Sequence, residues 1–143
     1  MKQELSVLET INHPNVVKVL DLMEDENFIY LAQEFISGGN LMEVLNEIAQ
    51  TGQSFTERDA ATFVYQVLYG LTYMHEKDFV HRDLKMENVM VDKYTKEDGT
   101  LGMNCKLVDF GFATTIKDDE KLNLALGTPL YMAPEIVKEE SYD

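Results

Sequence analysis

The stretch His81-Arg82-Asp83-Leu84-Lys85-Met86-Glu87-Asn88 lies between two short apolar runs, Phe79-Val80 and Val89-Met90-Val91. A polar loop between two predicted strands is a place where chemistry is commonly mounted. Asp83 can accept a proton, Lys85 can neutralise a phosphate, and Asn88 offers an amide oxygen to a hard cation such as Mg²⁺. Those are the parts that phosphoryl transfer needs. Asp109-Phe110-Gly111 follows the run Lys106-Leu107-Val108, 21 residues after Asn88 and 24 before Ala133. Gly127-Thr128-Pro129 and Ala133-Pro134-Glu135 come after it in turn. An Asp-Phe-Gly tripeptide alone is weak evidence; the ordered set is strong.

In these motifs the chain resembles the eukaryotic protein kinase family, and the resemblance runs over essentially all of its 143 residues. Lys85, with Gly127-Thr128-Pro129 and Tyr131, is similar to the serine/threonine branch, and Lys106 through Ala113 is similar to calcium/calmodulin-dependent and cyclic-nucleotide-dependent kinases. The resemblance implies transfer of the ATP γ-phosphate to a protein serine or threonine hydroxyl, with Mg²⁺ as cofactor. It implies that Asp83 orients the hydroxyl and takes its proton, that Thr128 bridges Asp83 and Lys85, and that Asn88 and Asp109 bind the metal. On the nucleotide side it implies Glu4 pairing with a strand lysine, a hinge formed by Glu34-Phe35-Ile36 leading into Ser37-Gly38-Gly39, and Gln33 at the back of the pocket. Asn40 then falls near the ribose, Met90 under the adenine, and Glu87 among the cofactor-side residues. Asn40 departs from the glutamate that many basic-directed kinases carry there. His81 is expected to pack against Phe110, Leu8 and Val19 and not to act as a base.

The elements that must hold these groups predict an α+β fold, the end of a small lobe followed by the first half of a helical large lobe. The expected division is a small-lobe remnant over 1–36 with one helix and two strands, a hinge over 37–39, and a large-lobe part over 40–143. Leu5, Leu8 and Ile11 at helical spacing predict a helix over residues 2–11. Val16 to Met23 and Phe28 to Phe35, split by Glu24-Asp25-Glu26-Asn27, predict a hairpin. A short helix is expected over Leu41 to Ala49. Thr56 with Asp59 reads as a capping box opening a long helix to about Glu76, with Phe63, Val64, Val67, Leu68, Leu71 and Met74 as its buried stripe. Asp92 to Asn104 reads as a polar, expanded hairpin loop. Gly99 and Gly102 do not make a phosphate-binding glycine loop, and the spacing of a calcium-binding loop is absent there.

A formal net charge of −14 argues against sequence-independent nucleic-acid binding and makes basic peptides more natural partners, with acidity that merely keeps the chain soluble as the alternative reading. No long apolar span or cleavable leader is visible, so a soluble, cytoplasmic chain without membrane contact is expected. Cys105 is the only cysteine and is expected to be buried and inert. Leu124 stands where kinases usually carry the activation-segment hydroxyl, and Asp118-Asp119-Glu120 is expected to supply fixed negative charge toward Arg82. The glycine-rich loop, the lysine partner of Glu4 and the arginine partner of Glu135 would lie outside residues 1–143. The chain is therefore expected to be a poorly stable part of a serine/threonine kinase domain, inactive when isolated, with a non-catalytic interaction module as the competing reading.

Overall fold

The computed structural model describes residues 6–52, 55–99, 101–117 and 120–142. Strands β1 (Val19–Glu24) and β2 (Ile29–Gln33) form an antiparallel hairpin. Its turn is organised by Asp25, whose Oδ1 accepts from the Asn27 and Phe28 amides, both at 2.8 Å, and whose Oδ2 accepts from the Tyr30 hydroxyl at 2.7 Å. An acidic side chain that satisfies loose amides in this way is the usual reason such turns close. The expected first helix is, over its described part, a 3₁₀ turn at Ser6–Thr10. The Ile11 amide donates to the Leu8 carbonyl three residues back, the tighter winding of a short segment that stops before Pro14.

Val16 and Val17 were expected to open the first strand, but they belong to a different contact. The Val17 amide donates to the Leu107 carbonyl and the Leu107 amide to the Asn15 carbonyl, each at 2.9 Å. Both valines are buried, which suits a segment covered on two sides. Asn15 holds this segment to the rest of the chain. Its amide nitrogen donates to the Cys105 carbonyl at 2.8 Å, to Asn104 Oδ1 at 3.1 Å and to Gln66 Oε1 at 3.2 Å.

Helix α1 (Leu41–Gln50) and helix α2 (Glu57–His75) both begin on capping boxes, Asn40 with Glu43 and Thr56 with Asp59. The buried face of α2 carries Phe63, Gly70 and Met74, with Val67 and Leu71 half-buried beside them. The expected stripe was too wide, because Val64 and Leu68 are each 56% exposed. Positions 63, 67, 70 and 74 recur at helical spacing and face the sheet, whereas 64 and 68 turn outward with Tyr65 and Tyr69.

Among the described residues two further strand pairs and short helices complete the framework. β3 (Phe79–Val80) pairs with β6 (Thr114–Thr115), and β4 (Val89–Thr95) pairs antiparallel with β5 (Leu101–Leu107). The ladder of β4 and β5 runs out to Thr95 opposite Leu101, so much of the expected loop over 92–104 is strand. Its polar residues alternate with Val89, Val91, Cys105 and Leu107, which are buried, as one-sided burial of a hairpin requires. Helix α3 (Pro134–Val137) is a single turn near the end of the described chain. Leu8, Ile11, Val16, Val19, Phe63, Met74, Phe79, Val91, Leu107 and Phe110 share one apolar cluster beneath the loop that holds Asp83. The mixed helix and strand content is that of an α+β fold. Among the described residues no helix is long and apolar enough to cross a membrane.

Candidate active site

β3 delivers the chain into the loop at His81 and a 3₁₀ turn, Met86–Asn88, returns it to β4. Between them Arg82 adopts φ 64, a left-handed conformation that a non-glycine residue takes only when its surroundings hold it. Here the holding contacts are explicit. Arg82 Nε donates to the Phe112 carbonyl, and the Asp83 amide donates to His81 Nδ1 at 3.3 Å. His81 Nε2 lies 2.9 Å from the Val108 carbonyl. Since Nδ1 accepts and a carbonyl can only accept, Nε2 carries the proton and the ring is neutral. Burial lowers its pKa further below 6.5, which outweighs the nearby carboxylates. With both nitrogens engaged and its ring 5.7 Å from that of Phe110, His81 is a packing residue and not a base.

Asp83 is 5% exposed, and a carboxylate so buried needs donors to remain charged. It has four. Thr128 gives its amide at 2.9 Å and its hydroxyl at 2.7 Å to Oδ1; Lys85 Nζ at 2.8 Å and Asn88 Nδ2 at 3.0 Å reach Oδ2. Burial pushes the pKa up, yet the bonds from Lys85 and Thr128 outweigh it and hold the carboxyl below 3.8. The Thr128 hydroxyl donates to Asp83 and accepts from Lys85 Nζ at 2.8 Å, so it joins the two. Thr128 is brought there by Gly127, at φ 123: a Cβ on Gly127 would stand 2.7 Å from the Arg82 carbonyl. Only glycine allows that approach.

Asn88 spends both amide hydrogens on Asp83, on its carbonyl at 2.9 Å and its carboxylate at 3.0 Å. The Asn88 Oδ1 is thereby turned away from Asp83. The Val108 amide donates to the Asn88 backbone carbonyl at 3.0 Å, which ties the loop to the residue preceding Asp109. Asp109 is exposed, at φ 62, while the neighbouring Phe110 is buried against Phe79 and His81. Asp83 and Asp109 both act on Lys85, raising its pKa, so the three residues share one electrostatic neighbourhood. Among the described residues no cluster of three or more histidine, cysteine or acidic side chains could hold a metal alone. One amide oxygen and one carboxylate instead suit Mg²⁺, which takes few protein ligands and fills its octahedron with water and phosphate oxygens.

The nucleotide-side residues are more dispersed. Glu4 lies outside the described residues, as do Asp118 and Asp119. The remaining acid of that run, Glu120, accepts from the Lys117 amide at 3.2 Å through Oε2 and so closes its own turn. Asn40 is the N-cap of α1, its side chain accepting from the Glu43 amide at 3.0 Å. Met90 sits opposite Asn40 in an isolated bridge, and the Val91 amide donates to the Gly39 carbonyl at 2.8 Å, so residues 39–40 lie along β4. Ile36 is buried, Gln33 and Glu87 are exposed, and the charge of Glu87 contributes to raising the Lys85 pKa. Sequence reasoning missed the side chain of Glu34. It accepts from Lys106 Nζ at 2.7 Å and from the Lys18 amide at 2.8 Å, linking β1, the end of β2 and β5. A lone glutamate 72 positions from its lysine gives no local signal of such a pair. Cys105 is buried and its thiol is pushed up to about 12 by desolvation, which makes it unreactive.

Comparison with known proteins accords with this geometry. The calcium-dependent protein kinase 4 of Plasmodium berghei is 38% identical over 135 residues, 94% of this chain and 24% of that protein. The serine/threonine-protein kinase DCLK1 of Rattus norvegicus is 37% identical over 142 residues, 99% of this chain and 30% of that protein. The chain thus spans less than a third of the length of these curated relatives. The family model for the protein kinase domain matches residues 1–143, and the chain belongs to that family.

Proposed function

We propose that the protein transfers the γ-phosphate of ATP to a serine or threonine hydroxyl of a protein substrate, with Asp83 as proton acceptor. The observation that carries this reading is the Asp83 cluster: a buried carboxylate kept ionised by Lys85, Thr128 and Asn88, beside Asp109. Asn88 Oδ1 and the Asp109 carboxylate would hold Mg²⁺, which when bound offsets charge on the phosphate oxygens. The chain's own groups do the rest. Asp83 orients the incoming hydroxyl; as the oxygen bonds to phosphorus and the bond to the ADP oxygen breaks, the hydroxyl proton passes to the carboxylate. Lys85, already within 2.8 Å of both Asp83 and Thr128, places a positive charge where the transferred group arrives. His81 stays neutral and only sets the loop.

The remaining assignments belong to the same reading. Residues 1–36 serve as the small-lobe side, 37–39 as the hinge and 40–143 as the large-lobe side. By the family resemblance Glu4, Glu34, Ile36, Asn40, Glu87 and Met90 are assigned to the nucleotide side. The net charge of −14 favours basic substrate segments and disfavours nucleic acid. The test, made on a complete kinase domain that carries residues 1–143, is transfer of label from γ-labelled ATP to a serine peptide flanked by arginines. The account expects Mg²⁺-dependent labelling that a tyrosine version of the peptide does not show. Equal labelling of both peptides, or label that persists in Asp109→Asn, would defeat it.

A further inference from the structure

Residues 34–40 cross from the end of β2 to the start of α1, and the β4–β5 hairpin holds this crossing at both ends. The far end is held by backbone. The Val91 amide donates to the Gly39 carbonyl at 2.8 Å, and Asn40 bridges to Met90. Gly38 passes so close that a Cβ on it would stand 1.9 Å from the Val91 carbonyl oxygen. The near end is held by a side chain. Lys106 Nζ donates to Glu34 Oε1 at 2.7 Å, and the same oxygen accepts from the Lys18 amide at 2.8 Å. The Glu34 amide in turn donates to the Lys18 carbonyl at 3.0 Å, so both the backbone and the carboxylate of Glu34 are fixed. Burial pushes the Glu34 pKa up, but the donors Lys106 and Lys18 outweigh it and hold the carboxyl below 4.5. Lys106 stands directly opposite Met90 in the β4–β5 ladder, and opposed residues of an antiparallel pair share a face. The face that carries Met90 is therefore the face from which Lys106 reaches Glu34.

We infer that Lys106 is a positioning residue for the nucleotide: bonded to Glu34, it sets the separation between the backbone of residues 34–36 and Met90, and so the width of the slot that takes the adenine. This rests on the phosphoryl-transfer reading above, in which those residues border the base. The Lys106 ammonium is spent on Glu34, so it acts on the base through that carboxylate and not on the phosphates. A planar base is held by hydrogen bonds to backbone at its edge and by apolar contact on its faces, and both weaken steeply when the slot widens by a fraction of its width. Without the lysine the near end of the crossing is left to the Lys18 contacts alone, while the far end keeps its backbone bonds. The loosening is then confined to the base side, because neither Glu34 nor Lys106 bonds to Asp83, Lys85, Asn88 or Thr128.

The test uses a complete kinase domain that carries residues 1–143 and compares the parent with Lys106→Met and Lys106→Arg. It reads steady-state kinetics and calorimetric binding of adenosine and of Mg²⁺-ATP, at a temperature where each protein has native circular dichroism. Lys106→Met should raise KM for ATP at least about fivefold while kcat stays within about threefold. Adenosine should weaken by the same factor as ATP, because the loss lies on the base side. Lys106→Arg, which keeps a charged donor, should restore both affinities to within about threefold of the parent. Should Lys106→Met lose its native circular dichroism, Glu34→Gln carries the test, since it keeps an oxygen for the Lys18 amide; at least about twofold weaker adenosine binding is expected. Parent affinity for adenosine in the folded variant, a fall in kcat with KM unchanged, or an arginine variant as weak as the methionine one would each overturn the inference and leave the phosphoryl-transfer reading standing. A parent protein that binds adenosine but transfers no phosphate would instead overturn that reading.

Discussion

Replacing Thr128 with valine keeps the shape of the side chain and removes only the hydroxyl. That hydroxyl donates to Asp83 Oδ1 at 2.7 Å and accepts from Lys85 Nζ at 2.8 Å. At the Lys85 end water replaces the lost partner. At the Asp83 end it does not, because the carboxylate is 5% exposed. Losing one hydrogen bond to a buried charged group costs about 1.5–3 kcal/mol. With a urea dependence of about 2 kcal/mol per molar, the unfolding midpoint should fall by about 1 M. The effect has a defined pH dependence. Asp83 has its folded pKa depressed below the unfolded value, burial being outweighed by the bonds from Lys85 and Thr128. Its stabilisation is therefore present above the ordinary carboxylate range and is lost as pH falls through the folded value. Thr128→Val moves that folded value back toward 3.8, so the two proteins differ fully near neutrality and converge as the medium becomes acid. Thr128→Ser, which retains both bonds, should cost less than about 1 kcal/mol. A serine variant as unstable as the valine one, or a difference indifferent to pH, would refute the reasoning.

Gly127→Ala introduces a Cβ 2.7 Å from the Arg82 carbonyl at a backbone φ of 123, and should destabilise the chain by about 1–3 kcal/mol; an unchanged urea midpoint would show that the segment has room to move. Glu34 and Lys106 are predicted to be energetically coupled, since their 2.7 Å contact is partly shielded from water. A double-mutant cycle with Glu34→Gln and Lys106→Met should return about 1 kcal/mol of interaction, and strict additivity would contradict a pair that joins β2 to β5.

The sequence made local chemistry legible and distant pairing much less so. That Asp83, Lys85 and Asn88 share one eight-residue loop was legible, although their direct hydrogen bonds were not foreseen, and the Thr56–Asp59 box was legible because capping is a short-range interaction. The equivalent box at Asn40 and Glu43 has the same spacing but was passed over, because Asn40 was assigned to the nucleotide instead. The outward turn of Val64 and Leu68 was invisible, because apolar residues on adjoining helical positions look alike until the partner's width is known. Asn15 was missed for a similar reason. Its partners Gln66, Asn104 and Cys105 lie 51 to 90 positions away, and nothing in a local window marks an asparagine as the tie between them. The strand character of 92–104 was hidden by its polarity, since an exposed hairpin needs apolar residues on one face only.

The central claim is that Asp83 receives the proton of the hydroxyl that attacks phosphorus. It is tested most directly by measuring kcat for phosphoryl transfer in Asp83→Asn, in a complete kinase domain that carries residues 1–143; the substitution keeps the size of the side chain and removes the base, exchanging one of its two acceptor oxygens for an amide. The expected result is a fall of about 10²–10⁴-fold, with Mg²⁺-ATP affinity within about threefold of the parent. An Asp83→Asn protein that turned over at the parent rate would contradict the account.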